Sequence, residues 1–401
     1  MVGSYLCRTL LEQTMNEGTN NEYSSLESGL EEPLSDTTVR PLSSMMRQSS
    51  VNQRQYHIQS SYILLVNAMS GIFPSYESRY KRNFLPLILW SLYPVSIIIY
   101  YVWLFFDVMV NDGPLFGNVD RTLRTLRVWS FIAVGILVPA TLSYTQQAYS
   151  NAMGRVAENI LLKDAKRHLS ICASISIVYF LAIYLAYTFT KKTTELPSDI
   201  KWCYDHPWSL LFSVPNFISM FRLLIMRCVT LERLHCEANK SLMKLAQCND
   251  ARLFQQESIE CNKDIVEGSK EYLQLPLAAA FTTCSIWFFA LVTLMWRNNR
   301  VDFYVFQSLF ILLAGSSLTC PLYPLAKIDL RSFYVREALC RNVQMPMAEL
   351  SGVLATFESI APRAMLFGFY VTRPRLVSLI ILLASSVVPR YISLFVGGSG
   401  A

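Results

Sequence analysis

The chain has 401 residues, of which 52% are hydrophobic and 13% aromatic, against only 16% charged. An ordinary soluble domain carries about 25% charged residues, so a soluble enzyme, a secreted disulfide scaffold and a disordered chain are all excluded. The net charge of +6 is therefore read by position along a polytopic membrane protein, not as a nucleic-acid signal.

Residues 1–60 are rich in Ser, Glu, Asn and Gln without apolar periodicity. They lack a signal peptide's basic start and apolar centre and read as a disordered cytoplasmic tail. Tyr62–Val66 is apolar but too short to span, and reads as interfacial. A bilayer core takes about 20 apolar residues per helix. Seven stretches qualify: Phe84–Phe106, Val128–Thr145, Leu169–Phe189, Trp208–Met226, Leu277–Trp296, Phe303–Ala326 and Leu376–Val396. The fourth holds Pro215, Asn216 and Arg222, which a bundle tolerates where they face protein.

Two long connections carry helical patterns of their own. In 227–276, Leu231, Leu234, Leu242, Leu245 and Leu253 recur at roughly helical spacing among many charges. That segment reads as cytoplasmic extensions of helices four and five. In 327–373, Pro346 opens and Pro362 closes a helix whose stripe is Leu350, Val353, Leu354 and Phe357. Together the two segments predict an anchor domain below the membrane. The resulting division is a tail at 1–60, then four membrane helices with their preceding interfacial segment at 61–226, and the extensions at 227–276. Membrane helices five and six follow at 277–326, the anchor segment at 327–373 and the seventh helix at 374–396. Residues 397–401, Gly-Gly-Ser-Gly-Ala, read as a linker remnant.

Basic residues set the orientation. Arg79, Lys81 and Arg82, then Arg155, Lys163, Lys166 and Arg167, fall on one side together with the basic residues of the two long connections. The opposite side has Arg121, Arg124, Arg127, Lys191, Lys192, Lys201, Arg297 and Arg300. The N-terminus is predicted cytoplasmic and the C-terminus extracellular. A G-protein-coupled receptor threads the other way. Its Asp-Arg-Tyr triplet is missing after the third span, which ends Thr188-Phe189-Thr190, and its Asn-Pro-x-x-Tyr from the seventh, which reads Val387-Val388-Pro389-Arg390-Tyr391. Of ten cysteines only Cys203 falls in a predicted external loop, so no bridge between external loops is expected. Asn239-Lys240-Ser241 is a glycosylation sequon in a predicted internal segment, and no glycan is expected there.

His57, His168, His206 and His235 are scattered, and His235-Cys236 has no second cluster at metal-ligand spacing. Nucleophile elbows, phosphate loops and dinucleotide fingerprints are absent from the sequence. No enzymatic activity, metal or cofactor is expected.

Several stretches point to a family. Asn67-Ala68-Met69-Ser70-Gly71-Ile72-Phe73-Pro74 looks like a Gly-x-x-Pro entry before the first span. Phe217–Leu242 looks like a long fourth helix, and Ala364–Val396 contains Arg373-Pro374-Arg375-Leu376 before a terminal apolar helix. Tyr391, followed by Ile392-Ser393-Leu394-Phe395-Val396, matches half of a Thr-Tyr, five-apolar, Gln-Phe signature; Arg390 takes the Thr position, and Gly397 and Gly398 the last two. In these respects the chain resembles the insect gustatory and odorant receptor superfamily. The resemblance implies a multi-pass plasma-membrane channel, homotetrameric or heterotetrameric, gated by a small molecule and passing cations nonselectively. The seventh span of each subunit would line the pore.

On helical spacing, Val388, Tyr391 and Phe395 are expected to share one face of that span as a gate, with Arg390 a charge at the pore mouth. Tyr184, Tyr187, Trp287, Tyr304, Gln307 and Phe310 offer aromatic surface and an amide to a small organic ligand in the outer half of the bundle. Small ligand, membrane lipid and permeant cations are the expected partners, and nucleic acid is not. Alternative readings are a seven-helix G-protein-coupled receptor or a non-conducting carrier or scaffold.

Overall fold

The computed structural model describes residues 67, 69–72, 84–112, 119–149, 170–182, 184–185, 207–247, 251–297, 301–341, 346–360 and 363–397. The tail, Tyr62–Val66, Cys203 and Tyr187 lie outside these residues. The chain is built from α-helices: α1 (Phe84–Asp112), α2 (Val119–Tyr144), α3 (Ser170–Ala182), α4 (Pro207–Gln247), α5 (Ala251–Gly268), a π-helical stretch (Ser269–Gln274), α6 (Leu275–Arg297), α7 (Val301–Thr319), α8 (Leu322–Cys340), α9 (Met347–Ile360) and α10 (Arg373–Gly397). Among the described residues, 5 helices are long and apolar enough to cross a membrane, and the apolar parts of α1 and α3 are shorter.

Hydroxyl groups sit in these apolar helices because the helices absorb them. Thr125, Ser130, Thr230, Thr283, Thr293 and Ser317 each donate to the carbonyl one turn earlier. Such back-bonding removes the cost of a bare polar group in hydrocarbon. Pro94, Pro139, Pro215 and Pro389 lie inside α1, α2, α4 and α10.

The packing centres on α6, which lies chiefly along α2 and α7; α1 covers α2, α4 runs beside α8, and α10 lies against α6, α7 and α8. Leu277, Ala280, Cys284, Trp287, Leu291, Leu294 and Met295 make the buried face of α6. Tyr101 of α1 is sealed onto α2 because Gly135 has no side chain: a methyl group there would fall on the Tyr101 ring. The entry segment also enters the core, with Ser70 and Ile72 buried. Gly71 turns with φ +73°, and a Cβ there would sit 3.4 Å from both Asn216 Oδ1 of α4 and Pro139 of α2.

The long connections are helical, as the leucine pattern predicts. α4 continues unbroken to Gln247, and α5 leads through the π-helical stretch into α6. Val353 and Phe357 of α9 are buried, and the Phe357 ring lies 5.9 Å from Phe254 of α5.

The structure departs from the sequence reading at two points and adds two details to it. The sixth span does not run unbroken to Ala326: α7 stops at Thr319 and α8 starts at Leu322, with Pro321 at its N-cap. Proline has no N–H to continue the ladder and its ring clashes with the carbonyl four residues back. Arg227, counted among flanking charges, is buried within α4. Asn239 is only 4% exposed on α4, which leaves little room for a glycan on the folded chain. Finally, Ala364–Arg373 contains a hairpin: β1 (Met365–Leu366) pairs antiparallel with β2 (Phe369–Tyr370). Its two turn residues, Phe367 and Gly368, both have positive φ, 52° and 80°, as a tight primed turn demands.

Candidate functional site

Six helices each send an aromatic ring to one place. Trp287 of α6, 2% exposed, is its centre. Around it stand Phe131 of α2 at 5.4 Å, Phe217 of α4 at 5.5 Å and Phe310 of α7 at 6.3 Å between ring centroids. Tyr101 of α1 extends the cluster through Phe131 at 5.9 Å, and Tyr179 of α3 through Phe310 at 6.2 Å. Phe131 and Phe217 stack with their planes 15° apart, and the others meet tilted or edge-on. Rings in such geometries attract through their quadrupoles beyond simple area burial.

Polar atoms interrupt this apolar wall. Gln307, one turn before Phe310, donates Nε2 to the Leu291 carbonyl at 2.7 Å, one turn after Trp287. Its Oε1 is buried and accepts no hydrogen bond among the described residues. The Asn216 carboxamide, beside Phe217, is buried next to the Tyr101 hydroxyl, its polar neighbour, and the Tyr179 hydroxyl is buried without a hydrogen bond among the described residues. Buried amides and hydroxyls left in that condition cost free energy that a ligand hydroxyl or a water recovers.

Of the residues singled out in the sequence, Trp287, Gln307 and Phe310 lie together here. Tyr184 is 61% exposed and stands apart from that cluster. Tyr187 is outside the described residues, and Tyr304 lies on α7 at a position whose side chain is also outside them. Tyr101, Phe131, Tyr179, Asn216 and Phe217 complete the site but were not singled out from the sequence. The one available signal was Pro215-Asn216, a polar interruption in an otherwise apolar span.

Farther along α4 a second polar centre ties three elements. Arg227 Nη1 donates to Thr145 Oγ1 at 2.8 Å and to the Tyr272 carbonyl at 3.4 Å. Nη2 donates to the Leu142 carbonyl at 3.0 Å and to Gln146 Oε1 at 2.5 Å. The guanidinium also lies 4.8 Å from the centre of the Tyr149 ring. The planar fork reaches several acceptors that a single ammonium could not.

The last helix is the least covered. Only 11% of the apolar window of α10 is buried, against 72% for α4. Leu376, Leu379, Leu383, Ser386, Val387, Arg390 and Tyr391 form its covered stripe. Ile381, Val388 and Ile392 are exposed on the other side. The face that Val388 and Tyr391 were expected to share is therefore divided, because the Tyr391 hydroxyl meets the Ser308 hydroxyl of α7. Trp296 Nε1 donates to the Ser386 carbonyl at 2.9 Å, and the Arg390 guanidinium lies 5.7 Å from the Trp296 ring centre. Phe395 is on α10, with its side chain outside the described residues.

These features define an all-α membrane bundle with an aromatic, amide-bearing site between its helices and a final helix that its own chain scarcely covers. No protein-family model and no curated protein matches the sequence. Solved structures do share the fold. One is the insect olfactory receptor OR5 from Machilis hrabei, at 10% identity and TM-score 0.54, covering 80% of this chain and 94% of that one. The same receptor in complex with eugenol matches at 12% identity and TM-score 0.52, covering 82% and 96%. The chain has the fold of an insect olfactory receptor, and the resemblance read from the sequence holds at that level.

Proposed function

We propose that the chain is a chemoreceptor-type ligand-gated ion channel of the insect olfactory and gustatory receptor superfamily. It sits in the plasma membrane as seven spans, with its N-terminus cytoplasmic and its C-terminus outside. Four copies, or copies mixed with a related subunit, surround one pore that passes cations without selectivity. The Trp287 cluster takes a small organic molecule with an aromatic or apolar body and a hydroxyl or amide for Gln307 and Asn216. OR5 has been solved with eugenol, a ligand of that chemistry.

The observation that carries this reading is the exposed apolar face of α10, in a fold shared with an olfactory receptor. Ile381, Val388 and Ile392 suit a ring that closes a pore by excluding water. Arg390 is turned to Trp296 of its own chain, so four copies need not ring the axis with positive charge. Ligand binding would favour the conducting state by binding it more tightly.

The test is particle imaging of the detergent-solubilised protein, combined with recordings from cells expressing it during application of a panel of small phenols. Four copies around an axis and an evoked cation current support the reading. A monomer without conductance removes it.

A further inference from the structure

Two of the six helices that line the aromatic cluster, α6 and α7, also grip the last helix. Gln307, whose side chain bonds the Leu291 carbonyl, is followed directly by Ser308, whose hydroxyl meets Tyr391. Nine positions after Trp287 on the same helix, Trp296 donates to the Ser386 carbonyl and faces the Arg390 guanidinium. The contact points on α10 bracket Pro389, where the ladder lacks one hydrogen bond and a helix bends most readily. Leu376 and Leu383 are also buried, but the opposite side of α10 is bare: Ile380, Ile381, Leu382, Val388 and Ile392 are all exposed.

The contacts also sort α10 by polarity. They keep Ser386, Arg390 and Tyr391 against their own bundle and leave Ile381, Val388 and Ile392 outward. Ser385 shares the outward side, but its hydroxyl donates to the Leu382 carbonyl. An apolar outward face excludes water from a narrow pore. Turning or bending the helix at Pro389 would exchange it for hydroxyls and a charge.

We propose that Ser308–Tyr391 and Trp296–Ser386/Arg390 form a two-point latch across the Pro389 hinge, which holds the pore helix in its non-conducting setting and connects it to the ligand site. Ser308 and Trp296 are positioning residues: neither belongs to the aromatic cluster, and both act through α10. The inference rests on the channel reading above.

Full-length protein expressed in oocytes provides the test, with currents normalised to surface-biotinylated protein. Ser308→Ala and Tyr391→Phe each remove one hydroxyl, and Trp296→Phe removes the indole donor. A hydrogen bond of ordinary net strength shifts a two-state equilibrium about fivefold, so each substitution should raise basal current by about that factor. Ser308→Ala with Tyr391→Phe should do no more than either alone, because they break one contact. Ser308→Thr keeps the hydroxyl and should leave basal current at the wild-type level, and it stays informative if a hydroxyl-removing variant fails to reach the surface. Basal currents equal to wild type in the hydroxyl-removing variants, additive effects of the pair, or a raised basal current in Ser308→Thr overturns the latch. A wild type that carries no current at all, with every variant alike, overturns the channel reading itself, and the latch with it.

Discussion

Arg227 Nη1 and Thr145 Oγ1 are 2.8 Å apart, and this bond joins the fourth helix to the second deep within the bundle. The same guanidinium reaches the Leu142 carbonyl, Gln146 and the Tyr272 carbonyl. Hydrogen bonds to charged groups contribute about 1.5–3 kcal/mol each. Arg227→Ala would therefore lower the thermal midpoint of the solubilised protein sharply, as read by fluorescence-detected size exclusion. Arg227→Lys should fall between, since it retains charge without the fork. Equal midpoints for Lys and wild type would show that charge alone is what the site needs.

Gly135 is predicted to tolerate no side chain. Gly135→Ala would push its methyl group into the Tyr101 ring, at a cost of about 1–3 kcal/mol for overpacking. The cost should shrink in a Tyr101→Leu background, because both changes act on one contact. Melting curves of the two single variants and the double variant decide it, and strict additivity would refute the contact.

In the aromatic cluster, Trp287→Ala and Gln307→Leu should separate two roles. Truncating Trp287 removes the hub of five other rings, and a loss of about 3–5 kcal/mol is expected, visible first as poor assembly. Gln307→Leu preserves size, and its expected effect is about a tenfold higher half-maximal concentration for a phenolic agonist, equivalent to about 1.4 kcal/mol. Apolar agonists without a hydroxyl should be affected less. Equal shifts for both classes would remove Gln307 as the polar contact.

The threading of the chain is checked with epitope tags, since Asn239 is buried. A tag after Ala401 should be reached by antibody on intact cells, and a tag before Met1 only after permeabilisation. The opposite pattern would favour a G-protein-coupled receptor over a channel.

Pore lining is read by thiol modification. Val388→Cys should be blocked by a membrane-impermeant methanethiosulfonate reagent, because Val388 is 49% exposed on the outward face of α10. Equal current before and after the reagent would take that face out of the conduction path.

The membrane helices were legible because a run of about 20 apolar residues is a local property. Their faces were not. A helix that is apolar all round shows no periodic difference between the side that meets protein and the side that meets lipid. This is why Trp287 could be named from its type, while Phe131, Phe217 and Tyr101 could not be told from lipid-facing rings. The hairpin at Met365–Tyr370 escaped notice because two-residue strands are too short to show alternation. Arg227 was misjudged for a different reason: near the end of an apolar run, a snorkelling arginine and a buried one look alike. Helix α9 was readable because its prolines and its stripe agree, and Val353 and Phe357 are buried where that stripe places them.

The π-helical stretch Ser269–Gln274 sets the azimuth of everything downstream in its helix. Wider turns there delay the rotation of α6 relative to α5, so that Phe254 can face Phe357 while Trp287 faces Phe131. Excising one residue from this stretch would swing Trp287 by roughly 100° about the helix axis. The α5–α9 contact and the aromatic cluster would then no longer both find their partners, although no residue of either had been altered.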